Sequence, residues 1–255
     1  MLSPETSSFL SRKSCYQANF MQRHAIFILL FFCSVKLPAQ SKRSYIDSVV
    51  ASMKIEDSDD PEDIALDVTR PFKTDSEKVR ALYFWVTENI EYDFKQLKNG
   101  SPVFYGDPDV YYDFMITRTL RKKKGVCGQY AMLFAELCRY ARIPCKVIIG
   151  WGLTSLYYPF DLLLGNESNH GWNAVRINGK WYLLDLTWAS GSVNSRLTKF
   201  IKQRNDLYYL TPPEEFAIRH HPEEPRWQLL EKPYSMQGFV KNAREKLNEG
   251  KYAGL

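Results

Sequence analysis

The pair Asn178-Gly179 lies between two short segments of β-branched and aromatic residues, and it constrains the fold more than any other stretch. Asn-Gly suits the two-residue type I′ turn of a β-hairpin. This turn sets a register that places His170 opposite Thr187. Because side chains alternate between the two faces of a strand, His170 and Asp185 then share one face as diagonal neighbours, about 7–8 Å apart at the backbone. The hairpin therefore predicts a histidine next to a carboxylate.

A cysteine at the start of a predicted helix lies upstream of this hairpin. Cys127 follows Gly125-Val126 and precedes apolar residues at helical spacing, namely Tyr130, Phe134, Leu137, Cys138 and Ala141. Free N–H groups and the positive end of the helix dipole favour a thiolate there. We therefore predict that Cys127, His170 and Asp185 are nucleophile, base and orienting carboxylate, with the N–H of Cys127 as an oxyanion donor.

Two further histidines, His220 and His221, lie beyond the first forty residues. They belong to the segment 219–222, which we predict to lie outside any regular element, and two glutamates follow them. A metal site there would lack the usual ligand spacing and a third His or Cys. The sequence therefore predicts neither a metal nor a cofactor, and it leaves His170 as the one well-placed imidazole.

The secondary-structure pattern is clearest before the hairpin. Thr74 and Glu77 form a capping box that predicts a helix over 75–89. Further predicted helices cover 44–54, 114–122 and 238–248, and a β-branched strand covers 146–151. We predict exposed loops over 99–113 and 152–168 and a last strand over 207–210.

The first forty residues are typical of an export signal. A short basic stretch, 21–24, precedes the apolar run 25–35 and a potential cleavage region at 37–40, with Met21 as a candidate start. The run is too short for a membrane span, which needs roughly 20 residues. Phe32 before Cys33 departs from the small residue that a lipoprotein signal requires, so lipid anchoring is not favoured. We predict an exported protein whose mature chain has no membrane span.

Composition and charge limit the domain organisation. A chain of 255 residues with 45% hydrophobic residues can bury one sizeable core. The net charge of +5 comes partly from the first forty residues, so the mature chain carries no charge signal for nucleic-acid binding. We predict a signal region at 1–40, a helical segment at 41–74, a core at 75–191 and a C-terminal extension packed on it at 192–255.

Three cysteines remain after signal removal: Cys127, Cys138 and Cys145. An odd number in an exported protein indicates a free thiol. Cys138 and Cys145 fall on different predicted elements, which favours two small core residues over a disulfide. The disulfide stays open as the alternative, in which the chain is a structural secreted protein.

Several motifs resemble the transglutaminase-like superfamily of papain-fold cysteine enzymes. They are Gly125-Val126-Cys127-Gly128 with Tyr130-Ala131, His170-Gly171-Trp172-Asn173, the segment from Trp181 to Trp188, and the upstream segment from Phe84 to Asp93. The blocks occur in the family's order and cover roughly residues 75–190. The tail, from Tyr208 through His221-Pro222 to Leu230, is similar to the kyphoscoliosis peptidase and cytokinesis protein 3 branch.

The resemblance implies an α+β fold in which a helix bearing Cys127 packs on an antiparallel sheet bearing His170 and Asp185. It implies acyl transfer from protein or peptide amides through a thioester. Water as acceptor makes a peptidase or amidase, and a lysine amine makes a cross-linking transglutaminase. A non-catalytic binding or scaffold module that retains the triad remains the other alternative, and the sequence leaves the oligomeric state open.

Overall fold

The computed structural model describes residues 39–55, 58–99, 108–153, 167–194 and 198–248. The predicted signal region before residue 39, with Cys33, lies outside the described residues. Parts of the predicted loops 99–113 and 152–168 also lie outside them. Within the described ranges, no helix has the length and apolar character needed to cross a membrane.

The described part of the chain contains helices before, within and after a central sheet. In chain order, α1 to α9 are Ala39–Ser52, Pro61–Thr69, Asp75–Asn89, Phe94–Asn99, Pro108–Lys122, Cys127–Tyr140, Leu186–Ser190, Pro213–Phe216 and Met236–Asn248. Short 3-10 helices cover Asp206–Tyr208 and Pro225–Gln228. The strands β1 to β8 are Glu91–Tyr92, Lys124–Gly125, Cys145–Gly152, His170–Ile177, Lys180–Leu184, Gly191–Val193, Phe200–Lys202 and His220–Pro222.

The central sheet is antiparallel and has four strands in the order β5-β4-β3-β8. Two small two-stranded sheets, β1-β2 and β6-β7, lie outside it. Helix α6 packs on one face of the central sheet, where Val175 and Ile177 point. The helices α1, α2 and α3 belong to the same apolar cluster. Trp172, Ala174 and Leu183 point to the other face and pack with Phe216 from the tail. The sheet is therefore covered on both faces, as an α+β fold requires.

The two strongest local signals are confirmed. Thr74 caps α3, and Glu77 bonds back to the backbone N–H of Thr74, which is the predicted capping box. The hairpin turn has Asn178 and Gly179 at φ 49° and 82°, the left-handed conformations that a type I′ turn needs. Its ladder runs from the pair Ile177–Lys180 to a last pair at Asn173 and Leu184.

Four other predictions are corrected by the structure. The helix predicted over 114–122 begins earlier, at Pro108. The strand predicted over 207–210 is replaced by a 3-10 turn, Asp206–Tyr208. The segment with His220 and His221 is regular after all and forms β8. The hairpin ladder stops before Thr187, which lies in α7 and has no strand partner at His170.

A buried ion cluster joins α1 to the 3-10 helix Asp206–Tyr208. The guanidinium of Arg80, on α3, donates two hydrogen bonds to Asp47 on α1, at 2.7 and 2.6 Å, and one to Asp206, at 2.8 Å. Arg80 is 1% exposed, so these carboxylates are needed to balance its charge. The cluster therefore fixes α1 against the core.

Candidate active site

The structure brings His170 and Asp185 into direct contact. Nε2 of His170 lies 2.7 Å from Oδ2 of Asp185, and both side chains are buried. His170 is the first residue of β4, and Asp185 directly follows the last residue of β5. The hairpin therefore delivers both groups, as the predicted register requires, although Asp185 lies just beyond the ladder.

Asp185 is fixed by a helix start. It is the N-cap of α7, and its Oδ1 accepts the backbone N–H groups of Thr187 and Trp188, at 2.9 and 3.1 Å. Aspartate is a preferred N-cap residue because its oxygen satisfies these otherwise unpaired donors. Burial alone would raise the pKa of Asp185, but the charge and hydrogen bond of His170 hold that pKa well below its usual range. The carboxylate is therefore an anion in a fixed orientation.

Cys127 is the first residue of α6 and contacts the other side of His170. Its sulfur lies near the imidazole of His170 and the backbone N–H of Gly171, and both groups lower the pKa of the thiol. Since Nε2 of His170 is engaged by Asp185, Nδ1 is the ring nitrogen left for this sulfur. The structure thus joins the three predicted site residues in the order Cys127, His170, Asp185.

The site favours a thiolate–imidazolium pair. Burial opposes ionisation of Cys127, but its hydrogen bond with His170 and the charge of that ring lower the pKa of the thiol below its usual value. Burial also opposes the charged form of His170, yet the charge of Asp185 and its hydrogen bond raise the pKa of the imidazole well above 6.5. Both shifts stabilise the same charge-separated state.

Two amide side chains fix the position of α6 relative to β4 and α5. Asn173, on β4, donates to the carbonyl oxygen of Ala131 on α6, at 3.0 Å. Gln129 accepts the backbone N–H of Val126 at 3.0 Å and donates to the hydroxyl of Thr119 on α5. These bonds position the first turn of α6 relative to β4 and therefore set the relative positions of Cys127 and His170.

An aromatic ring covers the imidazole. Trp188 stacks on His170 with ring centroids 4.7 Å apart and an interplanar angle of 19°. Such a face-on contact restricts the rotation of the ring and also stabilises its cationic form. Trp188 is in α7, so the helix that orients Asp185 also packs on His170.

His220 belongs to this cluster, which the sequence did not predict. Its Nε2 lies 3.1 Å from Oδ2 of Asp185, the same oxygen that His170 contacts. His220 is 2% exposed, and it reaches the site because β8 pairs with β3. No local pattern in the short, proline-flanked segment indicates this contact, which depends on strand pairing across the sheet.

The cluster offers donor atoms that zinc also uses. His170, Asp185 and His220 bring one donor atom each within 4.8 Å of one another. The two ring nitrogens lie at hydrogen-bond distance from one carboxylate oxygen, and His170 is also engaged by Cys127. The arrangement therefore fits direct hydrogen bonding between the three side chains.

The described cysteines, Cys127, Cys138 and Cys145, are free thiols. Cys138 lies on α6 and Cys145 begins β3, so the two are on different elements, as predicted. Burial raises the pKa of Cys138 well above its usual value, as expected of an unreactive core residue. Cys127 alone among these three contacts a histidine.

Comparisons with known proteins identify a family for the central part of the chain. Residues 62–186 match the family model of the transglutaminase-like superfamily. The chain therefore carries a transglutaminase-like domain. That superfamily consists mostly of cysteine enzymes.

The similar proteins belong to the branch that the tail suggested. Human kyphoscoliosis peptidase is 33% identical over 72% of this chain and 26% of its own length. Cytokinesis protein 3 from Schizosaccharomyces pombe is 26% identical over 62% of this chain and 16% of its own length. A solved structure of a candidate cysteine protease from Cytophaga hutchinsonii is 24% identical, with a TM-score of 0.35 over 61% of this chain and 44% of that one. The chain thus spans about a quarter of the length of kyphoscoliosis peptidase.

Proposed function

We propose that this protein is a cysteine acyl-enzyme that cleaves protein or peptide amides through a thioester, with Cys127 as nucleophile. The observation that carries the proposal is that the ring of His170 contacts both the sulfur of Cys127 and the carboxylate of Asp185. A nucleophile, a base and an orienting anion in this order can carry out acyl transfer.

In the first half-reaction the thiolate of Cys127 attacks the amide carbonyl carbon and forms a C–S bond. The carbonyl oxygen becomes an oxyanion. It can accept the N–H groups of Cys127 and Gly128, which lie in the first turn of α6, where a helix has no acceptor of its own. When the C–N bond breaks, the imidazolium of His170 gives its Nδ1 proton to the leaving amine. The products are a thioester and a free amine.

In the second half-reaction neutral His170 removes a proton from the acceptor, which attacks the thioester carbonyl and releases the thiolate. Water as acceptor gives a carboxylic acid, so the protein is a peptidase or amidase. A lysine amine as acceptor gives a new amide and makes it a cross-linking transglutaminase. The site chemistry is the same for both, and we favour hydrolysis because water is always present.

Alkylation tests the nucleophile without a known substrate. We expect iodoacetamide to label Cys127 at pH 6 at least about tenfold faster than a free thiol, which is less than about 1% thiolate there. His170→Ala should remove this advantage, whereas Cys145→Ala, which changes another partly exposed thiol, should keep it. If Cys127 reacts no faster than a free thiol and His170→Ala changes nothing, the protein is instead a binding or scaffold module.

Substrate profiling then identifies the acceptor. The purified mature protein is incubated with a peptide library, once alone and once with an added primary amine, beside Cys127→Ala. Hydrolysis yields new carboxyl termini in both samples, and transamidation yields amine adducts in the second. We expect Cys127→Ala to yield neither product.

We further propose that the protein is exported. The basic stretch, apolar run and potential cleavage region within residues 21–40 support this proposal. Expression of the full chain followed by N-terminal sequencing of the secreted material tests it. The expected new N-terminus lies near residue 40, and retention of the uncleaved chain inside the cell would overturn the proposal.

A further inference from the structure

We propose that His220 is a positioning residue of the active site, whose Nε2–H donates to Asp185 and fixes the carboxylate that orients His170. The inference rests on the proposed function of Cys127, His170 and Asp185, and it extends the triad to four side chains.

The first step of the argument is the sharing of one oxygen. Oδ2 of Asp185 lies 2.7 Å from Nε2 of His170 and 3.1 Å from Nε2 of His220, while Oδ1 accepts the N–H groups of Thr187 and Trp188. Asp185 is 0% exposed, so all its stabilisation must come from protein groups. His220 therefore supplies one of the four donors that a buried carboxylate needs.

The second step is the way in which the sheet brings the two imidazoles together. On β3, Gly150 pairs with His170 on one side, and Gly152 pairs with His220 on the other. A Cβ at Gly152 would lie 2.9 Å from Cγ and from Cδ2 of the His170 ring. Because Gly152 has no side chain, the ring of His170 can lie over the strand that separates it from His220.

The third step concerns the proton on His220. Its Nδ1 lies 3.2 Å from the carbonyl oxygen of Phe216, so both ring nitrogens face acceptors. A neutral imidazole has a single N–H, and burial lowers the pKa of His220 to about 4 despite the opposing effect of Asp185. With the proton on Nδ1, the lone pair of Nε2 would face a carboxylate. The Nε2–H tautomer avoids this repulsion, and we assign it to His220.

The fourth step is the confinement of the ring. His220 stacks on Phe216 with ring centroids 3.8 Å apart and an interplanar angle of 17°. Trp188 and Trp172 lie 4.4 and 5.0 Å away, centroid to centroid. A ring held on several sides cannot turn its Nε2 away from Asp185, which is the property required of a positioning group.

The neighbouring histidine provides a matched control. His221 is also buried, but its Nε2 contacts the carbonyl oxygen of Tyr234. It lies on the same strand and differs from His220 in having no contact with Asp185 among the described hydrogen bonds. Replacing His221 therefore tests what the loss of a buried imidazole on β8 does by itself.

The experiment compares three full-length variants in a chelating buffer, which removes any contribution of metal. His220→Phe keeps the ring shape and removes the donor, His220→Gln keeps an N–H donor near the position of Nε2, and His221→Phe is the control. The rate of iodoacetamide alkylation of Cys127 at pH 6 is the readout, with thermal unfolding to confirm folding. We expect His220→Phe to slow alkylation about tenfold, His220→Gln to stay within about threefold, and His221→Phe to stay within about twofold of the parent rate.

Two outcomes would overturn the proposal. Either His220→Phe alkylates at the parent rate, or His220→Gln is as slow as His220→Phe, which would show that an N–H donor at this position does not restore the rate. A parent protein whose Cys127 reacts no faster than a free thiol would instead overturn the proposed function. The two failures are therefore distinguishable in one experiment.

A second measurement decides the case even where His220→Phe does not fold. The ¹⁵N shifts of the imidazole nitrogens in the parent protein report the tautomer of each histidine. We expect His220 to carry its proton on Nε2 and to remain neutral from pH 5 to pH 8. A neutral ring with its proton on Nδ1 would contradict the proposal.

Discussion

The hairpin β4-β5 and the tail strand β8 each deliver one imidazole to the same oxygen of Asp185, but they do so in different electrostatic states. His170, from the hairpin, contacts a thiol as well, and the charge of Asp185 raises the pKa of its imidazole. His220, from the tail, lies against Phe216, and burial lowers the pKa of its imidazole to about 4.

The comparison teaches that two imidazoles on one carboxylate are not both charged, because burial and the charge of His170 oppose protonation of His220. A histidine between a carboxylate and a thiol becomes a cation and takes part in proton transfer. His220, on the same carboxylate, stays neutral because burial and the charge of His170 lower the pKa of its imidazole, and it holds Asp185 in place. One carboxylate can therefore orient a histidine that transfers protons and at the same time accept a hydrogen bond from a second histidine that does not.

The largest effect is expected from Asp185→Asn, which removes the charge that both imidazoles share. An amide keeps an oxygen to cap α7 and places an N–H donor opposite Nε2 of His170, so the proton of His170 moves to Nδ1, the wrong tautomer. We expect kcat on a cleaved peptide to fall about 10³-fold or more. Single-turnover kinetics measure this. A loss of less than tenfold would mean that the anion plays no part in orienting the base.

The pH profile distinguishes the two histidines directly. Activity needs the thiolate of Cys127 and the imidazolium of His170, so kcat/KM should fall on the acid side as the thiol becomes protonated, below the usual thiol pKa. On the alkaline side it should fall as His170 loses its proton, at a pH well above 6.5. His220 is neutral above about pH 4, so it should cause no further change of kcat/KM between the acid and the alkaline fall. An alkaline limb near 6.5 would contradict the raised pKa of His170.

Gly152→Ala tests the space between the two imidazoles. The added methyl group would meet the ring of His170 at 2.9 Å, so we expect the ring to move and alkylation of Cys127 to slow about tenfold. Overpacking should also destabilise the fold by about 1–3 kcal/mol. Gly238→Ala on α9, where the nearest atom is 3.5 Å away, is the control and should leave the alkylation rate unchanged. Equal rates in both variants would mean that the rings do not depend on this space.

The smallest effect is expected at the hairpin turn. Gly179 has φ 82° and no atom within 4 Å of an added Cβ, so Gly179→Ala would cost only backbone strain, about 1 kcal/mol. Gly179→Asn should cost less, because asparagine tolerates this conformation better than alanine. Urea unfolding of the two variants measures the difference. Alkylation of Cys127 in the folded state should stay the same, and a changed rate would show that the turn also positions the site.

The parts of the site that the sequence predicts are those built from neighbours along the chain. Asn178-Gly179 fixes the register of the hairpin, and the register brings His170 close to Asp185. The same holds for α3, where Thr74 and Glu77 mark the start. The capping groups of α3 are three residues apart, and His170 and Asp185 are fifteen residues apart but are joined by a single tight turn, so propensity and spacing carry most of the information.

Asp185 is an intermediate case. The hairpin register correctly predicts that Asp185 lies next to His170, and the structure shows a hydrogen bond between them. The register nevertheless treats Asp185 as a strand residue. The structure shows an N-cap, and the order aspartate, then Leu186–Ser190, contains that signal because aspartate favours such positions. A strand pattern and a cap pattern overlap at this residue, and the strand pattern is the stronger of the two.

His220 could not be predicted because its position depends on distant pairing. Its strand, His220–Pro222, is too short to show alternation, and Pro222 makes the segment look irregular. The strand lies at the edge of the sheet, where a proline is tolerated because one side needs no hydrogen bond. Only the contact with β3, a strand far away in the sequence, makes the segment regular.

The place of β8 in the sheet has a consequence for any shortened form of this protein. The matched family domain ends at residue 186, whereas β8 lies beyond it and pairs with β3. A fragment cut at that boundary would lose His220 and would leave the backbone amides of β3 open along one side. Unpaired strand edges join to those of other molecules, so such a fragment would be prone to aggregation. A shortened form that keeps the complete site therefore has to include the tail.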